Sequence, residues 1–516
     1  MVSDLVWVIT IVTALVALTV GQLKWLRVAQ RVQYLPGEVS RIERLWFARR
    51  PLGIAWWTLA LGLAVTGAVG NALGVEGAIW AIALAPLAAL NHPWRMPVFG
   101  VTKPLAWTGR IIRVAVVSSV FLLALGAVSL WLLDTPGALV PIFLHGLVMD
   151  AALAVLWPLE RALQLPFLRS AQATLKRVNP QIVAITGSYG KTSTKGYAAH
   201  IIQQKYSVMA SPASFNNLMG LSKAINEKLT PGTDVFVAEM GMNAEGRIRE
   251  LVHHFPPYIA AITVVGEAHF ERLGSHEAIF RAKAEITENA SVVVLPVDQP
   301  ELVGLADTCR TRGTIVVTVS GKGLDADVSV DPEAGTVRYG PGSDPVPVSI
   351  PLLGHAVNVA VALGIAWALD LPAAQALDGL GSLPVAAHRT EIIEGPGGVA
   401  IIDDTYNSNP PGAKRAIEGA AALAAERGGS LIVVTPGMVE LGKLQVQRNR
   451  ELGEQVAAAG GTLCAVGLTN RAALVAGGGP GTRVFLKRDQ AVRVAGQIAG
   501  PSDVILYEND LPDHYP

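Results

Sequence analysis

Apolar residues fall into two patterns along this chain. Leu5 to Leu23, Leu52 to Val69, Ala78 to Leu90, Val114 to Leu133 and Ala138 to Trp157 are long runs almost without charge. Later in the chain the apolar runs are short and alternate with amphipathic stretches. A helix needs roughly 20 apolar residues to cross a hydrocarbon core of about 30 Å. Four of the five long runs meet that length and the one from Ala78 is marginal, so the pattern predicts a transmembrane helical bundle of five spans over residues 1–160. Asp4 stands where a signal peptide carries its basic segment and no A-x-A site precedes Lys24, so the first run is expected to stay in place as a span.

Charge placement orients these spans. Lys24, Arg27, Arg31, Arg41, Arg44, Arg49 and Arg50 follow the first run, and Arg95, Lys103, Arg110 and Arg113 separate the third from the fourth. The alternate connections, 71–77 and 134–137, hold no Lys or Arg. Basic residues near span ends stay cytoplasmic. A multi-pass protein of the plasma membrane is therefore expected, N-terminus outside, with everything after Trp157 in the cytoplasm beside ATP. A buried helical domain of a soluble protein gives no reason for such one-sided charge. Arg161, Arg169, Lys176 and Arg177 then mark a basic connector over 161–180, suited to lipid headgroups or to solvent.

Beyond the connector, Gln181 to Thr186, Val235 to Glu239 and Ala260 to Val265 read as buried strands of a parallel sheet separated by helical stretches. Further apolar runs at Val399 to Ile402, Leu431 to Val434, Leu463 to Val466 and Val504 to Tyr507 predict a second, smaller α/β domain. An Ala-rich helical stretch from Asn358 to Leu369 and a hinge, LPVAAHRTE, lie between the two. The 41 basic and 41 acidic residues cancel and no polybasic tail appears, so nothing favours a nucleic-acid partner. Cys309 and Cys464 lack the paired spacing of a zinc or redox site and read as reduced thiols.

The candidate chemistry begins in ITGSYGKTST. Strand, glycine turn and helix start bring backbone N–H groups and a helix dipole onto a phosphate. Lys191 suits the terminal phosphates and Thr192 a magnesium ion. The general nucleotide loop has a further glycine where this chain has Ile185, so the shorter form G-x-x-G-K-T is judged by its neighbours. Glu239 ends the second strand, and Glu267 and His269 follow the third. In doubly wound sheets ligands gather at the carboxyl ends of strands, which here carry a phosphate loop, a carboxylate and an imidazole.

These segments, together with FNN at 215–217, EMGMNAEG from Glu239, AHFERLGS from Ala268, AKAEI from Ala282 and DDTYNSNP from Asp403, resemble the Mur ligases. That family comprises ATP-dependent, amide-bond-forming enzymes of cell-wall precursor synthesis. The likeness covers about residues 181–445 and is greatest to the member that joins D-alanyl-D-alanine to a muramoyl tripeptide. It implies a P-loop central ATP-binding domain over 181–387 and a Rossmann-like C-terminal domain over 388–516. It also implies ATP on Gly187, Ser188, Tyr189, Gly190, Lys191, Thr192 and Ser193, with Asn358 near the adenine and Arg389, Asp404 and Asn407 reaching in from the second domain. Magnesium falls to Thr192, Glu239, His269 and Lys283, the last as a carbamate. Lys191, His269 and Lys283 form the catalytic centre, and Asn216 and Asn217 lie toward the substrate.

The resemblance also has gaps. The family's uridine-nucleotide domain is absent, and the membrane runs stand in its place. G-D-M-x-E-L-G appears as TPGMVELG from Thr435, the K-G-S tail as YENDLPDHYP, and GHAVN is shorter than the family's segment around His355 and Asn358. Three functions are expected in order. The first is the muramoyl-tripeptide ligation, and the second a ligation on a lipid-linked or other membrane-held acceptor with an amine or dipeptide. The third is an inactive ATP-binding membrane protein, which the intact Lys191, Glu239, His269 and Lys283 set disfavours. The sequence names no protein partner.

Overall fold

A computed structural model describes residues 2–49, 51–75, 80–90, 92–93, 96–99, 104–212, 215–348, 356–384, 391–405, 408–511 and 515. The chain divides into two compact units, Met1–Leu163 with Leu511–Pro516, and Gln164–Asp510.

The first unit is helical: α1 (Val2–Arg31), α2 (Glu38–Arg49), α3 (Pro51–Ala72), α4 (Trp80–Ala89), α5 (Gly109–Leu133), α6 (Val140–Phe143) and the start of α7 (His145–Val178). Its interior is apolar, yet apolar side chains also cover much of its outside. Leu5, Val8, Val12 and Leu15 of α1 and Val116, Val120 and Leu123 of α5 are exposed, while Gln22, Ser118, His145 and Asp150 are buried. Hydrogen bonds offset the cost of burying several of these groups. Gln22 donates to the Ser118 hydroxyl at 2.5 Å and its amide oxygen lies 2.8 Å from His145 Nε2. Asp150 accepts from the backbone N–H groups of Val39 and Ser40, capping the start of α2. Among the described residues, α1 over Asp4–Arg31 and α5 are long and apolar enough to cross a membrane. Thr135–Phe143 and His145–Val178, bent by 59°, make a third crossing if they are one span; Ile54–Gly70 and Trp80–Ala89 are shorter. Two of the five expected runs are thus helices of spanning length by themselves.

The second unit opens with the end of α7. The stretch expected as a basic connector is helical to Val178, and Leu168, Ala171 and Leu175 are buried in this unit's apolar core. That core surrounds a sheet whose strands are β1 (Gln181–Thr186), β2 (Val208–Ala210), β3 (Val235–Glu239), β4 (Ile259–Ile262), β5 (Val292–Pro296), β6 (Ile315–Ser320), β7 (Val328–Asp331), β8 (Thr336–Tyr339) and β9 (Val346–Pro347). Among the described residues they lie in the order β2-β3-β1-β4-β5-β6-β7-β8-β9. All pairs from β2 to β7 are parallel, and β7-β8-β9 are antiparallel. Side chains alternate across the sheet. Ile182, Ala184, Phe236 and Ala238 face one apolar layer, and Val183, Ile185, Val235 and Val237 the other. Both layers are covered by helices, which is why these strands read as unbroken apolar runs.

A second sheet has the order β10-β11-β15-β12-β13-β14 among the described residues, from β10 (Glu391–Glu394), β11 (Ala400–Asp404), β12 (Leu431–Thr435), β13 (Thr462–Val466), β14 (Arg483–Phe485) and β15 (Val504–Glu508). Only β10 pairs antiparallel in this set. Cys309 and Cys464 are free and buried, and burial raises both thiols.

Candidate functional site

The order β3-β1-β4 sets the phosphate loop between two neighbours that each contribute a polar group at the same edge. Gly187 to Gly190 leave the end of β1, and helix α8 (Lys191–Ile202) starts directly after them. Gly190 has φ +80, and a Cβ there would collide with the side-chain amide of Asn358. Only glycine meets both demands. Asn358 is buried against the loop, and its Nδ2 has no acceptor among the described residues.

The loop is braced from β4. Thr263 donates to Tyr189 O at 2.5 Å. The Ser188 hydroxyl donates to Gly266 O at 3.0 Å and accepts from Gly266 N–H at 2.9 Å. The Tyr189 ring packs where a Gly266 Cβ would be, and its hydroxyl accepts from Glu267 N–H at 2.9 Å. Burial raises the Tyr189 phenol, so it stays protonated. Ser188 and Tyr189 therefore hold the loop's shape, and Ser193 is buried in the first turn of α8. Lys191 curls back to donate to Gly187 O at 2.7 Å.

Glu239, at the end of β3, is 2% exposed and fully engaged. Its Oε2 accepts from Thr192 at 3.0 Å and from Lys195 at 3.2 Å, and its Oε1 from Asn216 at 3.2 Å. The sequence motifs do not single out Lys195, although it lies one helical turn after Lys191 on α8, on the same face. Asn217 instead caps the helix Leu218–Lys228, its Oδ1 accepting from Gly220 N–H at 2.9 Å. Asn216 is thus part of the carboxylate's surroundings, and Asn217 is committed to a helix start.

Lys283 and His269 are the remaining candidates. Lys283 is 2% exposed, and burial followed by the charge of Lys191 pushes its ammonium well below the usual lysine value. Burial likewise lowers the His269 imidazole, with Glu440 opposing and Lys283 and Lys191 reinforcing the shift.

The structure also brings in residues that sequence reasoning passes over. Glu440, from the TPGMVELG segment after β12, has Oε2 2.9 Å from His269 Nδ1, while its Oε1 accepts from Arg272 at 3.2 Å. Arg448 grips Glu267 with two nitrogens and donates to Glu451 at 2.7 Å. Asp404 ends β11 in register with Glu508 of β15. Glu508 is wholly buried and accepts from Ser408 and, at 2.6 Å, from Thr435. Burial raises its carboxyl to about 7. Arg389, Asn407 and His355 lie outside the described residues.

The donor set suits a magnesium ion that also takes phosphate oxygens, since Glu239 and Thr192 are hard oxygen ligands beside the loop and magnesium needs few protein ligands when phosphates supply the rest. Among the described residues no three His, Cys, Asp or Glu side chains converge as a metal cage.

Known proteins resemble this chain over both α/β domains. Residues 185–366 match the family model of the Mur ligase middle domain, and 388–507 that of the Mur ligase glutamate ligase domain. The UDP-N-acetylmuramoyl-tripeptide--D-alanyl-D-alanine ligase of Synechocystis is 30% identical over 341 residues, covering 64% of this chain and 72% of that relative. The chain belongs to the Mur ligase family. The Bacillus subtilis ligase of the same name is 33% identical over 288 residues, covering 55% of this chain. This Mur ligase spans less than two thirds of that relative's length, 62%. Its fold is that of the MurF ligase of Thermotoga maritima solved with ADP, with a TM-score of 0.56 at 22% identity, covering 67% of this chain and 80% of that one.

Proposed function

We propose that this Mur ligase is an ATP-dependent, ADP-forming enzyme of peptidoglycan precursor synthesis that joins D-alanyl-D-alanine to UDP-N-acetylmuramoyl-tripeptide. We further propose that its helical unit is a multi-pass domain of the plasma membrane, with the ATP site cytoplasmic. The observation that carries the chemistry is the buried Glu239 joined to Thr192, next to Lys191 at the mouth of a glycine loop. The exposed apolar side chains of the helical unit and its basic connections support the membrane placement.

A carboxylate does not acylate an amine at neutral pH, because its charge repels the nucleophile and oxide is a poor leaving group. In the proposed course a carboxylate oxygen of the tripeptide attacks the γ-phosphorus of ATP, the bond to the β-phosphate oxygen breaks, and ADP and an acyl phosphate result. The dipeptide amine then adds to the acyl carbon, loses a proton, and inorganic phosphate departs. Lys191 turns from its loop carbonyl to the phosphoryl oxygens, where charge builds. Asn358 Nδ2 and the loop N–H groups orient the phosphates. Thr192, Glu239, His269 and, as a carbamate, Lys283 would hold magnesium, which would supply charge neutralisation on those oxygens when bound. The lowered Lys283 favours the neutral amine that carbon dioxide requires. Asp404, with Arg389 and Asn407, serves ATP from the second sheet's side.

A second reading, ligation onto a lipid-linked acceptor, draws support from the helical unit, which lies outside both family-model matches. ADP release by the detergent-purified protein tests both readings. Turnover with UDP-muramoyl tripeptide plus D-alanyl-D-alanine is expected, and turnover only with a lipid-linked precursor selects the second reading. Silence with both, or full activity in Lys191→Ala, refutes the ligase reading.

A further inference from the structure

Glu440 stands apart because both ends of its contact with His269 are conformationally costly. His269 has φ +65 and Glu440 φ +64, left-handed backbone that non-glycine residues adopt at a cost of roughly 1–2 kcal/mol each. Among the described residues, three hydrogen-bonded contacts link the strained pair. The imidazole meets Oε2 at 2.9 Å, Arg272 donates to Oε1 at 3.2 Å, and the Glu440 carbonyl accepts from Glu271 N–H at 3.0 Å. The loop bearing Glu440 is itself pinned. Asn449 accepts from Met438 N–H at 2.8 Å, and Asn509 donates to Gly437 O at 2.6 Å.

The chemistry of the contact fixes the ring. A carboxylate only accepts, so Nδ1 carries the proton, and in the neutral ring Nε2 keeps its lone pair. Ligating histidines are characteristically oriented by such a partner, which sets the tautomer and raises ligand basicity. Here the partner comes from the loop after β12, in the second sheet's domain, while the histidine follows β4 in the first. We infer that Glu440 is a positioning residue for His269, so that docking of the second sheet's domain readies the imidazole to take a divalent cation.

The inference rests on the reading of His269 as a metal ligand, and the test separates the two. The probe is Mn2+ with β,γ-methylene ATP, added to the detergent-purified full chain, and the readouts are Mn2+ affinity and the imidazole nitrogen modulation in pulsed electron paramagnetic resonance. Glu440→Ala removes the acceptor, and Glu440→Asp withdraws it by one carbon while keeping its charge. Both are expected to lose the modulation and to weaken Mn2+ binding about 10- to 100-fold. Glu440→Gln still offers an amide oxygen to Nδ1 and should retain both, a pattern that general loss of structure does not produce. Wild-type modulation and affinity within twofold in Glu440→Ala and Glu440→Asp overturn the inference while leaving the ligand reading intact. If His269→Ala keeps the modulation, the ligand reading fails and takes the inference with it.

Discussion

Replacing Lys195 by methionine removes the ammonium from a buried ion pair and leaves most of the side chain's bulk. At 3.2 Å and an effective dielectric constant near 20, the lost attraction is about 5 kcal/mol. Breaking a buried pair by removing one partner costs roughly 3–5 kcal/mol, because the remaining charge is stranded. Glu239 keeps its bonds from Thr192 and Asn216, which offset part of this, so a loss of about 3 kcal/mol is expected. Hydrogen exchange of peptides covering β1 and β3, read by mass spectrometry, should accelerate on the order of a hundredfold in K195M. Glu239→Gln removes the stranded charge, so the double variant K195M/E239Q should be about 2–3 kcal/mol more stable than the two single losses added together. Magnesium with ATP should restore part of the protection in K195M by supplying the missing positive charge. Exchange at the wild-type rate in K195M, or strict additivity in the cycle, would refute the reasoning.

Two other outcomes are expected from the site's surroundings. Glu508 titrates at about 7 in the folded chain because burial, aided by Asp404, outweighs the Ser408 and Thr435 bonds. Folding then takes up a proton between the ordinary glutamate value and about 7, so stability of the second sheet should fall as pH rises through that window and level off above it. The full swing is about 3 kcal/mol, and denaturation followed at pH 5 and pH 8 should show it in the wild type and lose most of it in Glu508→Gln. Asn217→Ala should cost about 1 kcal/mol through the lost helix cap with KM for the acceptor unchanged, whereas a large KM increase would return Asn217 to a substrate role.

The parts of this molecule that are visible in its sequence are those buried on both sides. β1, β3, β4, β11, β12, β13 and β15 are read as apolar runs because helices cover both faces of their sheets, while β5, equally buried, and β6 are passed over. The edge strands β10 and β14 and the β7-β8-β9 meander escape notice, since an exposed face or a charged residue such as Arg483 breaks the run. At the site, Gly187, Gly190, Lys191, Thr192 and Glu239 are legible from their order along the chain. Lys195, Glu440 and Arg448 are not, because their meaning lies in partners 44, 171 and 181 residues away. Ser188, Tyr189 and Asn217 show the opposite case, residues in suggestive segments whose side chains are occupied in holding backbone.

The end of α7 bears on how this protein can be divided. Leu168, Ala171 and Leu175 lie in the same apolar layer as Ile182, Leu221 and Phe236, and the Phe167 carbonyl accepts from Asn226 at 3.0 Å. A water-soluble fragment begun at the first strand would therefore bare three core side chains' worth of greasy surface and leave an asparagine wanting. The safe cut for anyone seeking the ATP-handling half alone runs through the middle of a helix, near Gln164, with the oily first half discarded and the last turns kept.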